Sequence, residues 1–169
     1  GNSLPVSAFV DYADGSTPTG SAAYEKRGIA VDVPVWNPES CLQCNLCSYV
    51  CPHAVIRPVV MDADAAAKAP AGAAMADMKG MEGKKFAMSI SVLDCTGCGS
   101  CVNVCPEVKG NKALSMANLE TQLEAQKMFD YGTTLETPAD VLEKFKVTTP
   151  KGSQFKQPLL EFSGACAGC

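Results

Sequence analysis

The chain is poor in aromatic residues, with one tryptophan, one histidine and 7% Phe, Trp and Tyr together across 169 residues. So little bulk leaves a thin polypeptide core, and a bound inorganic centre is expected to do much of the work of fixing the fold. Excess positive charge is missing too. Lys plus Arg number 14 against 18 Asp plus Glu, a net charge of −4, so the chain has no general attraction for nucleic acid or acidic membranes. Long apolar runs are absent, and the opening GNSLPVSAFVD has no basic stretch followed by an apolar core. A soluble, unexported, cytoplasmic protein is expected. An apolar content of 47% with 14 Gly and 11 Pro suits one compact domain plus appendages.

What the chain does have is cysteine: ten residues, at positions 41, 44, 47, 51, 95, 98, 101, 105, 166 and 169. They are bunched where a secreted disulfide framework would scatter them, so metal is the better reading. The chain also repeats itself at an offset of 54 residues. Cys41-x2-Cys44-x2-Cys47-x3-Cys51-Pro52 returns as Cys95-x2-Cys98-x2-Cys101-x3-Cys105-Pro106, and Val50 returns as Val104. Four sulfurs and a proline recurring in register indicate a duplicated structural unit.

Around the repeats the pattern is coarser. Residues 1–34, with DGSTPTGS at 14–21, lack periodicity and are expected to be an extended connecting segment lying over another surface. Val55, Ile56, Val59 and Val60, interrupted by Pro58, suggest a short edge strand. An Ala-, Met-, Gly- and Lys-rich stretch at about 61–83 looks like an insertion between the repeats, with enough alanine for helix. Phe86, Met88, Ile90 and Val92 alternate with small residues as a strand does, and Leu114 and Met116 suggest its return partner. Leu119, Leu123 and Met128 fit a helix face stopped near Gly132. Thr137, Pro138 and Asp140 resemble a capped start for a helix through Phe145, and 150–158 reads as a connector.

The run C-x2-C-x2-C-x3-C-P is the bacterial two-cluster pattern, in which the fourth cysteine serves the other cluster. Interleaved ligation is therefore expected: one 4Fe-4S cluster on Cys41, Cys44, Cys47 and Cys105, the other on Cys95, Cys98, Cys101 and Cys51. The middle cysteines, Cys44 and Cys98, are both present, so both sites should be full cubanes. Pro52 and Pro106 can turn the chain away after the last ligand. Amides near Gly97 and Gly99, and the small Ser100, are placed to approach sulfur closely. Structural zinc is the alternative, but a duplicated triplet with Cys-Pro fits it poorly. Two such clusters act most naturally as successive stations for single electrons.

Cys166 and Cys169 make half a site. The reading adopted is part of a third 4Fe-4S cluster completed by residues beyond 169, against a zinc half-site or a redox pair. His53 is assigned no role. Met75, Met78 and Met81 recur at helical spacing and read as packing. Tyr49 is expected to pack over a cluster.

The chain resembles the internal ferredoxin-type region of pyruvate:ferredoxin (or flavodoxin) oxidoreductases. The resemblance lies in LPVSAF at 4–9, YEKRGIA at 24–30, VPVWNPESCLQCNLCSYVCPHAVIRP at 33–58, LDCTGCGSCVNVCP at 93–106 and KGSQFKQPLLEFSGACAGC at 151–169. It implies an α+β fold: a bacterial two-[4Fe-4S] ferredoxin-like domain at 35–118, with short β-hairpins and helices. It further implies a helical connector at 119–160 and, at 161–169, the truncated start of a following cluster and thiamine diphosphate domain. In that family a 2-oxo acid, pyruvate, is decarboxylated on thiamine diphosphate with Mg2+, the acyl unit passes to coenzyme A, and electrons cross three 4Fe-4S clusters to ferredoxin or flavodoxin. The parent would be a homodimer. This fragment would carry no catalytic residue and no thiamine site; it would be wiring. The competing expectation is an independent two-cluster carrier, or a subunit of another redox complex.

Overall fold

A computed structural model describes residues 3–16 and 26–157; Cys166 and Cys169, with the segment expected to open a following domain, lie outside the described residues. Helices and small antiparallel sheets are mixed, and the centre of the fold is a three-stranded sheet in the order β2-β4-β3. β4 (Lys85–Ile90) lies between β2 (Ile56–Met61) and the short β3 (Ala76–Asp77). Pro58 is tolerated because β2 is an edge, as its sequence suggested.

The alternation in β4 is real but both of its faces are covered, so Phe86 and Ala87 are equally buried. Phe86 meets Trp36 edge-on at a ring separation of 6.0 Å. On the opposite face the small Ser89 lets helix α4 (Ala125–Thr133) come close. The helix ends at Thr133, beside Gly132 as the sequence suggested. Gly132 lies inside the last turn, where a Cβ would sit 2.7 Å from Val59 Cγ2, so the residue is small because the sheet is against it. The helix does not begin at Leu119; residues 119–121 form a separate 3-10 turn.

Leu114 and Met116 are not the return partner of β4. They belong to β7 (Leu114–Asn118), which pairs with β1 (Asp32–Trp36) in the register Trp36↔Leu114 and Pro34↔Met116. Both neighbours of β4 are already taken by β2 and β3, so nearness in sequence misleads here. The β1–β7 pair brings the chain just before the first repeat against the chain just after the second. A small hairpin of β5 (Glu107–Val108) and β6 (Asn111–Lys112) precedes β7.

Three further expectations need correction. Residues 1–34 are not simply extended: Val6–Tyr12 coils as a 3-10 helix that buries none of its residues. Thr137 does not cap α5 (Ala139–Lys144); its hydroxyl donates to the Phe155 carbonyl at 3.2 Å, and Pro138 takes the cap position. The stretch read as a connector from 150 is helical over α6 (Pro150–Gln154), where Thr149 Oγ1 accepts from the Gly152 amide at 3.1 Å and Pro150 opens the helix. In the 61–83 insertion, α2 (Ala63–Ala67) answers the alanine content. Met75, Met78 and Met81 lie beyond that helix, yet Met78 is 3% exposed and the other two pack against the core.

Candidate functional site

Each repeat folds as a loop carrying three cysteines that runs into a short helix, α1 (Leu46–Tyr49) or α3 (Ser100–Val104). Left-handed residues alternate with the cysteines. In the first loop they are Gln43 (φ 56°) and Asn45 (φ 61°); in the second they are Gly97 (φ 71°) and Gly99 (φ 74°). Reversing the backbone hand between sulfurs curls the loop so that amides and thiols face the same interior. The Gln43 amide donates to Cys41 Sγ at 3.3 Å, and the Gly97 amide donates to Cys95 Sγ at the same 3.3 Å.

Two cavities result. The first is lined by Cys41, Cys44, Cys47 and Cys105, with Trp36, Asn45, Met88 and Leu114 among the other walls. The second is lined by Cys51, Cys95, Cys98 and Cys101, with His53 and Ser100 at its rim. Each leaves about 340 Å³ of space unfilled by atoms, open solvent included. Each therefore gathers three thiols of one repeat and the last thiol of the other. Among the described residues no three His, Cys, Asp or Glu side chains converge tightly enough for a single ion; the thiols stand around spaces.

The electrostatics suit a cationic filling. Burial, and then the neighbouring Cys41, push the Cys47 thiol up to about 12. Cys101 is pushed up to about 11 by burial and then by Cys51 of the other repeat. Cys95 is raised chiefly by burial as well. Four sulfurs this close cannot ionise together unless positive charge sits between them. Eight described cysteines, none in a disulfide, form an all-sulfur donor set with amides aimed at sulfur. That is the chemistry an iron-sulfur cube requires.

The loops differ in how they are held. Gln43, 1% exposed, donates from Nε2 to the Asp77 carbonyl at 2.8 Å and accepts the Lys79 amide at 2.8 Å. Lys79 Nζ in turn donates to the Cys41 carbonyl at 2.7 Å. Asn45 Nδ2 donates to the Lys151 carbonyl at 3.0 Å, and Ser48 Oγ donates to Gln154 Oε1 at 2.7 Å. The insertion and α6 thus clamp the first loop through side chains. The second loop is braced from residues 26–32 chiefly by backbone, the Gly28 amide donating to the Leu93 carbonyl at 2.9 Å, with one ion pair between the Lys26 and Asp94 side chains just ahead of it. Cys98 is exposed, and its thiol is held below the ordinary range by the Ser100 amide first and the Ser100 hydroxyl next.

Of the residues singled out in the sequence, Tyr49 is 59% exposed and so does not pack over a cavity, whereas His53, set aside, reaches a cavity wall. Gln43, Asn45 and Ser48 were missed as holders of the loop. Their signal was available, since Gln43 and Asn45 occupy the positions that are glycine in the second repeat.

Residues 40–108 match the family described as a 4Fe-4S double cluster binding domain, and residues 1–30 match EKR, a domain of unknown function. Over its full length the chain is 51% identical to the pyruvate-flavodoxin oxidoreductase of Klebsiella pneumoniae, of which it covers 14%. It is likewise 51% identical to the pyruvate:ferredoxin oxidoreductase of Moorella thermoacetica, again covering 14%. A pyruvate dehydrogenase [NADP(+)] of Cryptosporidium parvum is 45% identical, with 8% covered. The chain spans about one seventh of the length of the first two relatives.

Proposed function

Along its entire length this chain is homologous to one segment of the pyruvate:ferredoxin and pyruvate-flavodoxin oxidoreductases, and from that premise we propose that it is the electron-transfer region of such an enzyme. The observation carrying this is the make-up of the two cavities, three thiols from one repeat and one from the other, in a chain matched from end to end. Cys41, Cys44, Cys47 and Cys105 would hold one 4Fe-4S cluster, and Cys95, Cys98, Cys101 and Cys51 the other, in a bacterial two-cluster ferredoxin-like body. Such clusters take up and release electrons singly. The protein's part is to hold the thiolates in place, aim amides at sulfur and exclude water.

In this proposal Cys166 and Cys169 belong to a third cluster nearer the chemistry, and decarboxylation of pyruvate with thiamine diphosphate, Mg2+ and coenzyme A is done by other parts of a homodimeric parent. α6, the described element nearest Cys166 along the sequence, holds the first loop through Asn45 and Ser48, and the second cavity carries the exposed Cys98. Electrons would then pass from the third centre to the first cavity, then to the second, and out to ferredoxin or flavodoxin.

The test is anaerobic iron and acid-labile sulfide analysis with EPR after dithionite reduction. Wild type should show two coupled 4Fe-4S signals from these eight cysteines. Cys105→Ala should lose the cluster of the first repeat and Cys51→Ala that of the second, although each cysteine lies in the opposite half of the sequence. Loss of the cluster in the same half as the mutation would refute crossed ligation. A colourless protein without labile sulfide would refute the assignment altogether, and a stable native species of 17.7 kDa would favour an independent carrier.

A further inference from the structure

The hydroxyl of Ser100 lies 3.5 Å from the sulfur of Cys98, and the chemistry of that pair changes once the sulfur binds metal. A free thiol donates its hydrogen to the serine oxygen. A metal-bound thiolate has no hydrogen, so the same contact can persist only with Ser100 as the donor. We propose that Ser100 sets the reduction potential of the second-cavity centre by donating a hydrogen bond to the Cys98 thiolate, and that the first centre has no counterpart. This deepens the electron-transfer reading and rests on it.

Three observations carry the proposal. Ser100 is the first residue of α3, directly after the left-handed Gly99, and Cys98 and Ser100 are both exposed. Cys98 and Ser100 line the second cavity together with Cys51, Cys95 and Cys101. The residue related to Ser100 by the 54-residue repeat is Leu46, which has no donor to offer Cys44. At the middle cysteine the second site therefore has the hydroxyls of Ser100 and Thr96 where the first has Leu46 and Leu42.

The sign follows from charge. One-electron reduction adds negative charge to the centre and its four thiolates with no bond made or broken, and a donor aimed at sulfur favours the more negative state. Ser100 therefore acts through Cys98 as a positioning residue that raises the potential of the second-cavity centre relative to the same centre without the hydroxyl. A charge-assisted hydrogen bond changes such an equilibrium by roughly tenfold, about 59 mV for one electron.

The test is an EPR-monitored redox titration of the cluster-loaded, full-length protein containing this chain, with Ser100→Ala, Ser100→Thr and Leu46→Ser beside wild type. Ser100→Ala should lower the midpoint of the second centre alone, Ser100→Thr should restore it because the hydroxyl is kept, and Leu46→Ser should raise the midpoint of the first. Unchanged midpoints in Ser100→Ala, or Thr behaving like Ala, would overturn the proposal while leaving the clusters in place. Absence of 4Fe-4S signals in wild type would instead defeat the reading beneath it.

Discussion

The two halves of the repeat share their thiol spacing and backbone curl but are secured by different means. The first loop places Gln43 and Asn45 at its two left-handed positions and uses their amides to grip the insertion and α6. The second places Gly97 and Gly99 there, and residues 26–32 press directly on its backbone. Left-handed backbone costs a side chain roughly 1 kcal/mol or more, and in the first loop that cost is offset by hydrogen bonds. In the second, a Cβ on Gly97 would lie 2.9 Å from the Asp32 carbonyl oxygen. One loop is held by what its side chains reach, the other by what its lack of side chains admits.

The largest expected effect comes from removing the iron. Each centre would join thiols of both repeats and so contribute to folding, and anaerobic chelation should strip amide hydrogen-exchange protection across both repeats. The halves should part in order. Residues 95–101 should lose protection first, because no side chain inside that loop reaches out as Gln43 and Asn45 do and the side-chain ties beside it end at Leu93 and Asp94, and 41–48 later, because Gln43, Asn45 and Ser48 still hold. Simultaneous loss would break the contrast. Next in size is Gly97→Gln, which copies the first loop's residue into the second. It meets both positive φ and the Asp32 carbonyl, and should cost about 3 kcal/mol or more, read as a fall in denaturation midpoint and cluster content.

The reverse exchange should be milder. Gln43→Gly relieves the left-handed backbone while deleting two hydrogen bonds to the 77–79 backbone, a net loss of about 1–3 kcal/mol. Its signature is local: faster hydrogen exchange at 76–84 with the second repeat unchanged. A global loss as large as that of Gly97→Gln would show that the clamp is no more than general packing.

How much of this could be read in the sequence follows the same contrast. Sulfur chemistry tolerates few spacings, so the triplets and Cys-Pro ends announce a duplicated unit, and an edge strand is legible wherever proline interrupts a β-branched run. Side-chain clamps leave no periodicity. Gln43 reaches Asp77 and Lys79 across more than thirty residues, and only comparison with Gly97 betrays its backbone. The pairing of β7 with β1 was hidden for a similar reason: it joins chain from either side of the repeats, and a nearer strand looked like the partner. Gly132 marks the end of α4 to within one residue, but the reason for the glycine, the closeness of Val59, has no trace in one dimension.

The smallest expected effect concerns solvent. Both cavities have similar size and both keep buried first and third cysteines, so protection should differ only through the middle ligand, exposed at Cys98 and half-buried at Cys44. Brief exposure of the loaded protein to air should therefore destroy the second-repeat centre before the first, by a few-fold in rate, followed as loss of its EPR signal on re-reduction. Gln43→Gly should narrow the gap, because loosening the insertion admits solvent to the first cavity. Equal rates in wild type would mean that the insertion fastens the first loop without shielding it. A gap unchanged by Gln43→Gly would assign the protection to α6 and its contacts with Asn45 and Ser48.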